Sequence, residues 1–286
     1  MTSKVRKSFI SDYWSHLEKK KFPKNAKKIK VIDSKKFISL FNSPFSEIKK
    51  NNLKKIIRDL YNGHPYIIKD AISKKFIEKL KVNLVDISLN TKSSFFKMDK
   101  KCPNYWRRQD ERVAKKYSVR AVRDSYYFFR WNRDNKYIWN KFNGYWSKIK
   151  YLGGLSKNSF KKNLPKDGVV DRIQVVKYPE NTGYIEPHFH DPKNQRIIIS
   201  VYMSKKGQDY IYGGTSFFNG KKKIDVENKI NVGDIGLFYA TLKHSVDPVK
   251  KVNKNTHKYL QGRWWCGLYS PESDLVKNRH TSSPTN

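Results

Sequence analysis

Residues 178–192 read YPENTGYIEPHFHDP, and no other stretch constrains the architecture as much. A β-type run, VVDRIQVVKY, leads in and ends at Tyr178. The chain turns through PENTG and delivers His188, His190 and Asp191 within four residues. Side chains on a strand alternate between faces, so an even register puts His188 and His190 on one face and Asp191 on the other. A one-residue bulge brings Asp191 to the first face instead. Both registers are open at this stage.

From residue 168 onward the chain is a series of short β-type runs: RIIISVYMS (196–204), GGTSFF (213–218), IGLFYA (235–240) and GRWWCGLYS (262–270). Such runs, separated by Gly, Asn, Asp and Pro, predict a sandwich or jelly roll. Within VGDIGLFYATLKHSVDPV (232–249) an apolar strand delivers His244. In the last run Arg263 enters an apolar strand with no acidic residue close by in sequence. Two imidazoles on one strand face and a third from a paired strand meet the needs of an open metal centre of the facial-triad kind. A guanidinium inside the barrel suits the carboxylate of a dicarboxylic acid.

On these motifs, residues from about 60 to 270 resemble the iron(II)/2-oxoglutarate-dependent oxygenase superfamily, in its phytanoyl-CoA and prolyl hydroxylase-like branches. The matching pieces are Tyr178-Pro with Gly183, the Pro-His pair at 187–188, the Gly213–Phe218 strand, the run from Gly233 to His244-Ser-Val-Asp-Pro-Val, and Arg263 on the next strand. The stretch HPYIIKDAISKKFIEKL (64–80) resembles the opening strand and helix of the group. The resemblance implies an α+β fold, a cupin-like double-stranded β-helix with N-terminal and flanking helices packed on its major sheet. It also implies a dioxygenase using Fe(II) and 2-oxoglutarate, with the metal on His188, His190 and His244, or on Asp191 in place of His190. Arg263 then holds 2-oxoglutarate; Tyr178, Gln174, Ser200 and Tyr202 read as inward-facing and able to hydrogen-bond it. The family pattern is His-x-Asp, whereas this chain reads His-Phe-His-Asp. A neutral imidazole at the carboxylate position leaves the centre more positive and widens the range of metals beyond iron.

The remaining sequence reads as scaffold. Residues 1–60 form a basic helical segment wrapping the core, 61–270 the oxygenase domain and 271–286 a polar tail expected to fray. Phe76, Ile77, Leu80 and Leu84, after Ser73 as N-cap, mark one face of a helix. Residues 91–165 are rich in Tyr, Trp, Phe and Arg, with a helix expected to end at Gly153 and Gly154. The aromatics from 126 to 146 and the segment Trp106 to Arg108 are expected to line the pocket mouth. His16, His64, His257 and His280 read as surface groups, and the loop KKVNKNTHKYLQ between His244 and Arg263 as an insertion.

With 37% hydrophobic and 14% aromatic residues in 286, the chain can bury one core, which excludes wholesale disorder. Cys102 and Cys266 form neither a disulfide framework nor a zinc spacing. No apolar run has the length of a signal peptide or a membrane span, so a cytoplasmic protein without membrane insertion is expected. The expected partner is a small-molecule substrate, phosphorylated or carrier-bound in one version, that is hydroxylated with release of succinate and CO₂. Two alternatives stay open. The net charge of +36 draws polyanions, so nucleic acid is a candidate substrate although no nucleic-acid motif occurs. A non-enzymatic jelly-roll binding module is the other, motivated by the altered His-x-Asp.

Overall fold

The structure, a computed structural model, describes residues 8–252, 257–279 and 282–285. The first half carries most of the helices: α1 (Phe9–Leu17), β1 (Lys30–Asp33), α2 (Ser34–Ser39), α3 (Glu47–Tyr61), β2 (Tyr66–Lys69), α4 (Lys74–Asn90), β3 (Tyr105–Gln109), α5 (Glu111–Ala114), β4 (Ala121–Phe129) and α6 (Lys136–Leu152). Strands follow: β5 (Arg172–Tyr178), β6 (Tyr184–Phe189), β7 (Ile197–Tyr202), β8 (Tyr210–Asn219), β9 (Lys222–Asp225), β10 (Ile235–Tyr239), β11 (His244–Val252), β12 (Arg263–Tyr269) and β13 (Ser283–Pro284). The first sheet runs β1-β2-β10-β7-β12-β5-β4, and the second β6-β11-β8-β9. Strand β4 joins them, because Ala121 and Val122 pair with β6 while Asp124 to Phe129 pair with β5. Two sheets linked in this way form the expected α+β jelly roll.

Alternation in the major sheet separates a helix-facing layer from an interior one. In β7, Ile197 and Ile199 meet Trp146 and Ile149 of α6, while Ile198 looks into the interior cavity. In β5, Ile173 and Val175 join the main core, whereas Arg172 and Gln174 line the cavity and Val176 and Tyr178 form a second apolar cluster. Helix α6 buries Trp139, Phe142, Trp146 and Ile149, which share one face by helical spacing, and it ends at Gly153 as read from sequence. Helix α4 begins at Ser73, whose hydroxyl accepts from Phe76 N at 3.4 Å, and buries Ile77, Leu80 and Leu84.

Three expectations need correction. Residues 1–60 contain a strand as well as helices: β1 lies parallel to β2, with Lys30 opposite Tyr66. This segment belongs to the core itself, since Trp14 is fully buried, stacks on Tyr239 at 5.4 Å and donates to Leu152 O at 2.7 Å. Residues 91–135, read only as aromatic-rich, supply β3 and β4; their many Tyr and Phe are β-formers that pair with β5. The tail, expected only as a polar extension, supplies a short strand, because Ser283 and Pro284 pair with Phe189 and His188 of β6. The expectations for His280 and for much of the insertion before Arg263 fall outside the described residues, as does the first part of the N-terminus. Among the described residues no helix is long and apolar enough to cross a membrane.

Candidate metal centre

His188 near the end of β6 and His244 at the start of β11 are direct partners across an antiparallel pair. Their ring centroids lie 4.2 Å apart, and His190, just past β6, sits 5.1 Å from the first and 5.2 Å from the second. One nitrogen from each ring lies within 4.8 Å of the others. The tautomers follow from the remaining nitrogens. His188 Nδ1 donates to Glu186 O at 2.8 Å and His244 Nδ1 to Leu242 O at 2.9 Å, so both rings present an unprotonated Nε2. His190 Nδ1 meets the Ser282 hydroxyl at 3.0 Å, and its Nε2 is buried without a hydrogen-bond partner.

Burial is the largest cause that keeps these imidazoles neutral. It pushes His244 down to about 4. His188 and His190 are held well below the ordinary histidine value by burial first, then by His244, with Arg123 adding to the effect on each. A buried, unpartnered nitrogen is costly unless something fills its lone pair. Only His190 Nε2 is shown to be such a nitrogen, but three imidazole nitrogens converging on one point, each ring oriented through its second nitrogen, fit a divalent transition metal.

Asp191 is not part of this cluster. Its Oδ1 accepts from Lys193 N at 2.7 Å, so the carboxylate caps the turn after β6. A register shift does occur in β6, but upstream of the histidines. Ile185 opposes Val246 and His188 opposes His244, leaving three steps on β6 against two on β11. The irregularity lets Ile185 and His188 line the same cavity; His190 and Asp191 line it too, and of these two only His190 joins the imidazole cluster.

Arg263 is inside the barrel, with 1% of its surface exposed, yet it is not alone there. Its Nη2 donates to Glu227 Oε1 at 2.7 Å and to Thr215 Oγ1 at 2.7 Å, and its Nε donates to the same Glu227 oxygen at 3.1 Å. Tyr210 Oη and Thr215 N also donate to Glu227. Burial opposes the charge on Arg263, but Glu227 and Tyr210 outweigh it and hold the guanidinium above its ordinary pKa. Gly214 makes room for the pair: at φ +104° it has a left-handed backbone, and a Cβ there would lie 2.4 Å from Glu227 Cγ. The sequence distance of 36 residues between Glu227 and Arg263 hides this partner from inspection of the motif. One donor, Arg263 Nη1, is buried without a hydrogen-bond partner.

Tyr178 is buried, with its ring 5.7 Å from the Arg263 guanidinium. Ser200 is buried on the same strand face as Ile198, and Gln174 lines the cavity. Arg263 does not line the cavity of about 200 Å³ in front of the triad, whereas Arg123 and Arg172 do. Neither was singled out from sequence. Arg123 lies on β4, a strand missed in the aromatic-rich segment, and Arg172 opens β5 at an inward position that alternation with Gln174 could have revealed.

The mouth also differs from expectation. Trp139, Phe142 and Trp146 are core residues of α6 and Trp106 is buried, so of the residues 126–146 only Tyr127 and Phe129 reach the outer cavity. Arg107 of the expected Trp106–Arg108 segment does line it, over Phe95 at 4.5 Å, together with exposed Phe95, Phe96 and Tyr117.

Ser282 orients a donor ring, and an orienting partner of this kind carries about 10-fold to 100-fold in metal affinity. Ser282→Ala is therefore expected to weaken metal binding about 10-fold with little loss of stability, as measured by competition with a chromophoric chelator.

No protein-family model matches the chain, and no curated protein matches it. Solved structures do. A full-length Neurospora crassa protein, crystallised in complex with alpha-KG and thymine, aligns at a TM-score of 0.51 and 11% identity over 85% of this chain and 86% of that one. The same protein with alpha-KG aligns at 0.50 and 12%, covering 88% and 89%, and its C-terminally truncated apo form at 0.51 and 10%, covering 84% and 93%. At such identities the likeness is one of fold.

Proposed function

We propose that this chain, which has the fold of the iron(II)/2-oxoglutarate oxygenases, uses Fe(II) and 2-oxoglutarate to oxidise a small organic molecule with O₂, most simply by hydroxylation, releasing succinate and CO₂. The observation that carries the reading is the convergence of three imidazole nitrogens, from His188, His190 and His244, within 4.8 Å of one another beside an interior cavity. When bound, the iron and the keto acid supply the oxidising chemistry.

The protein's own contribution is to bind and orient. Glu186 O and Leu242 O fix two of the rings, and Ser282 the third. Arg263 Nη1, unsatisfied but set back from the cavity before the triad, is the donor we assign to the distal carboxylate of the keto acid, with the Tyr178 ring beside it. Without a carboxylate among its ligands, a dication on three neutral imidazoles keeps its full charge close to the Arg123 guanidinium. The field in the cavity then favours anionic occupants, of which a keto acid is one.

Anaerobic titration of the metal-free protein with Fe(II) and then 2-oxoglutarate tests the reading. One iron per chain, a visible charge-transfer band on adding the keto acid and succinate on admitting air are expected. Absence of iron binding, or binding with no band and no succinate, leaves a jelly-roll binding module.

A further inference from the structure

Inward from the aromatic mouth, the outer cavity of about 270 Å³ and the cavity before the triad share one wall, built by β4, β5 and β6 and including Arg123, Arg172, Gln174 and Ile185. The wall is cationic without internal compensation. Arg123 Nε donates to Gln109 Oε1 at 3.1 Å and Arg172 Nη2 to Gln174 Oε1 at 3.1 Å, both neutral amides. Arg172 Nε is buried with no hydrogen-bond partner. Gln174 is itself tied to Ser125 and Tyr127, each at 3.4 Å, so it cannot swing away.

The two guanidinium groups bracket a phenolic floor. Arg172 lies 5.3 Å from the Tyr127 ring and 5.7 Å from that of Tyr269, while burial opposes the charge of Arg123 and Tyr178, Tyr127 and Tyr269 together outweigh it. Three carboxylates that also line these cavities are engaged with other groups. Asp191 accepts from Lys193 N, Glu272 from Lys193 Nζ and Asn194, and Asp274 from Met98 N and Arg279. Among the described residues, then, the inner wall holds two arginines in no ion pair. By contrast, the buried cations Arg130, Lys150 and Arg263 each have a carboxylate.

Placing a guanidinium on a cavity wall with no carboxylate paired to it is unfavourable unless an anion arrives. We propose that the substrate is an organic oxyanion, a carboxylate or a phosphate ester, received by Arg172 and Arg123 between the triad and the aromatic mouth. The inference rests on the oxygenase reading for the reaction, and the anion site itself rests on the arginines alone. Exposed Phe95, Phe96 and Tyr117 at the outer end suit a flat ring attached to that anion, with the Arg107 guanidinium over Phe95 as a further cation beside it.

Ring-matched probes test this: benzoate, phenyl phosphate and neutral benzamide, bound to the full chain with and without Fe(II) and 2-oxoglutarate and followed by calorimetry. The expected result is millimolar or tighter binding of one or both anions and none of benzamide, weakened about 10-fold or more in Arg172→Gln and partly restored in Arg172→Lys. Preference between the two anions assigns carboxylate or phosphate. The 2-oxoglutarate affinity of Arg172→Gln, read from the visible band, is expected to stay within about twofold of the parent. Equal binding of anions and benzamide, or no binding of either anion, overturns the proposal. Parallel loss of the 2-oxoglutarate band overturns it too, because the arginine then serves the cosubstrate. If the parent protein shows no band but binds the anions through Arg172, the oxygenase reading fails while the anion site stands.

Discussion

Arg263→Met is expected to destabilise the protein by about 3–5 kcal/mol, because it leaves Glu227 buried with no counter-charge. Both side chains are essentially inaccessible, at 1% and 0% exposure. Glu227 would keep its bonds from Tyr210 and Thr215 N, but hydrogen bonds from neutral donors do not replace a guanidinium in a low-dielectric interior. Chemical denaturation of the single variant measures the loss. The double variant Arg263→Met/Glu227→Leu should recover most of it, since exchanging a whole buried ion pair for apolar side chains of similar volume is close to neutral.

The double variant also separates folding from ligand binding. If Arg263 Nη1 receives the keto acid, the stabilised double variant binds iron normally and loses the 2-oxoglutarate band. A single variant within about 1 kcal/mol of the parent would show instead that the pair is strained or that water reaches it.

How much of this was readable in advance depends on where each partner lies along the chain. The three histidines are legible because strand alternation and β-strand pairing turn the spacing of His188, His190 and His244 into a geometry. The jelly roll is legible for the same reason: β5, β7, β8, β10 and β12 are short runs with clear punctuation. Glu227 was not, since it arrives from a one-turn helix after β9, and no local pattern connects it to Arg263. Arg123 was hidden because DSYYFF has aromatics on both faces of β4, so alternation is masked. The return of the tail over the site was hidden most completely. Ser282 and Ser283 carry no apolar period, and the two-residue β13 is held by backbone pairing to β6, which polar sequence does not announce.

The choice of His190 over Asp191 leads to the largest expected difference between two neighbouring variants. If the roughly 10–16 kcal/mol of a four-ligand zinc site is shared evenly, one ligand carries about 3 kcal/mol, or more than about a hundredfold in affinity. His190→Ala should lose metal on that scale, because its Nε2 is buried and aimed at His188 and His244 with no other partner. Asp191→Ala should change metal affinity less than about threefold and cost about 1 kcal/mol of stability, the value of its bond to Lys193 N. Metal titration of both variants, with far-UV spectra to confirm that each is folded, reads the contrast directly. The reverse outcome would require the turn after β6 to shift by one residue on metal binding, breaking the bond from His190 N to Ala240 O that now fixes the register. His190→Asp takes the contrast one step on: a carboxylate in the same direction restores two imidazoles and one carboxylate and lowers the charge of the centre by one unit. It should favour oxygen-loving Fe(II) over softer metals relative to the parent, provided the shorter side chain still reaches.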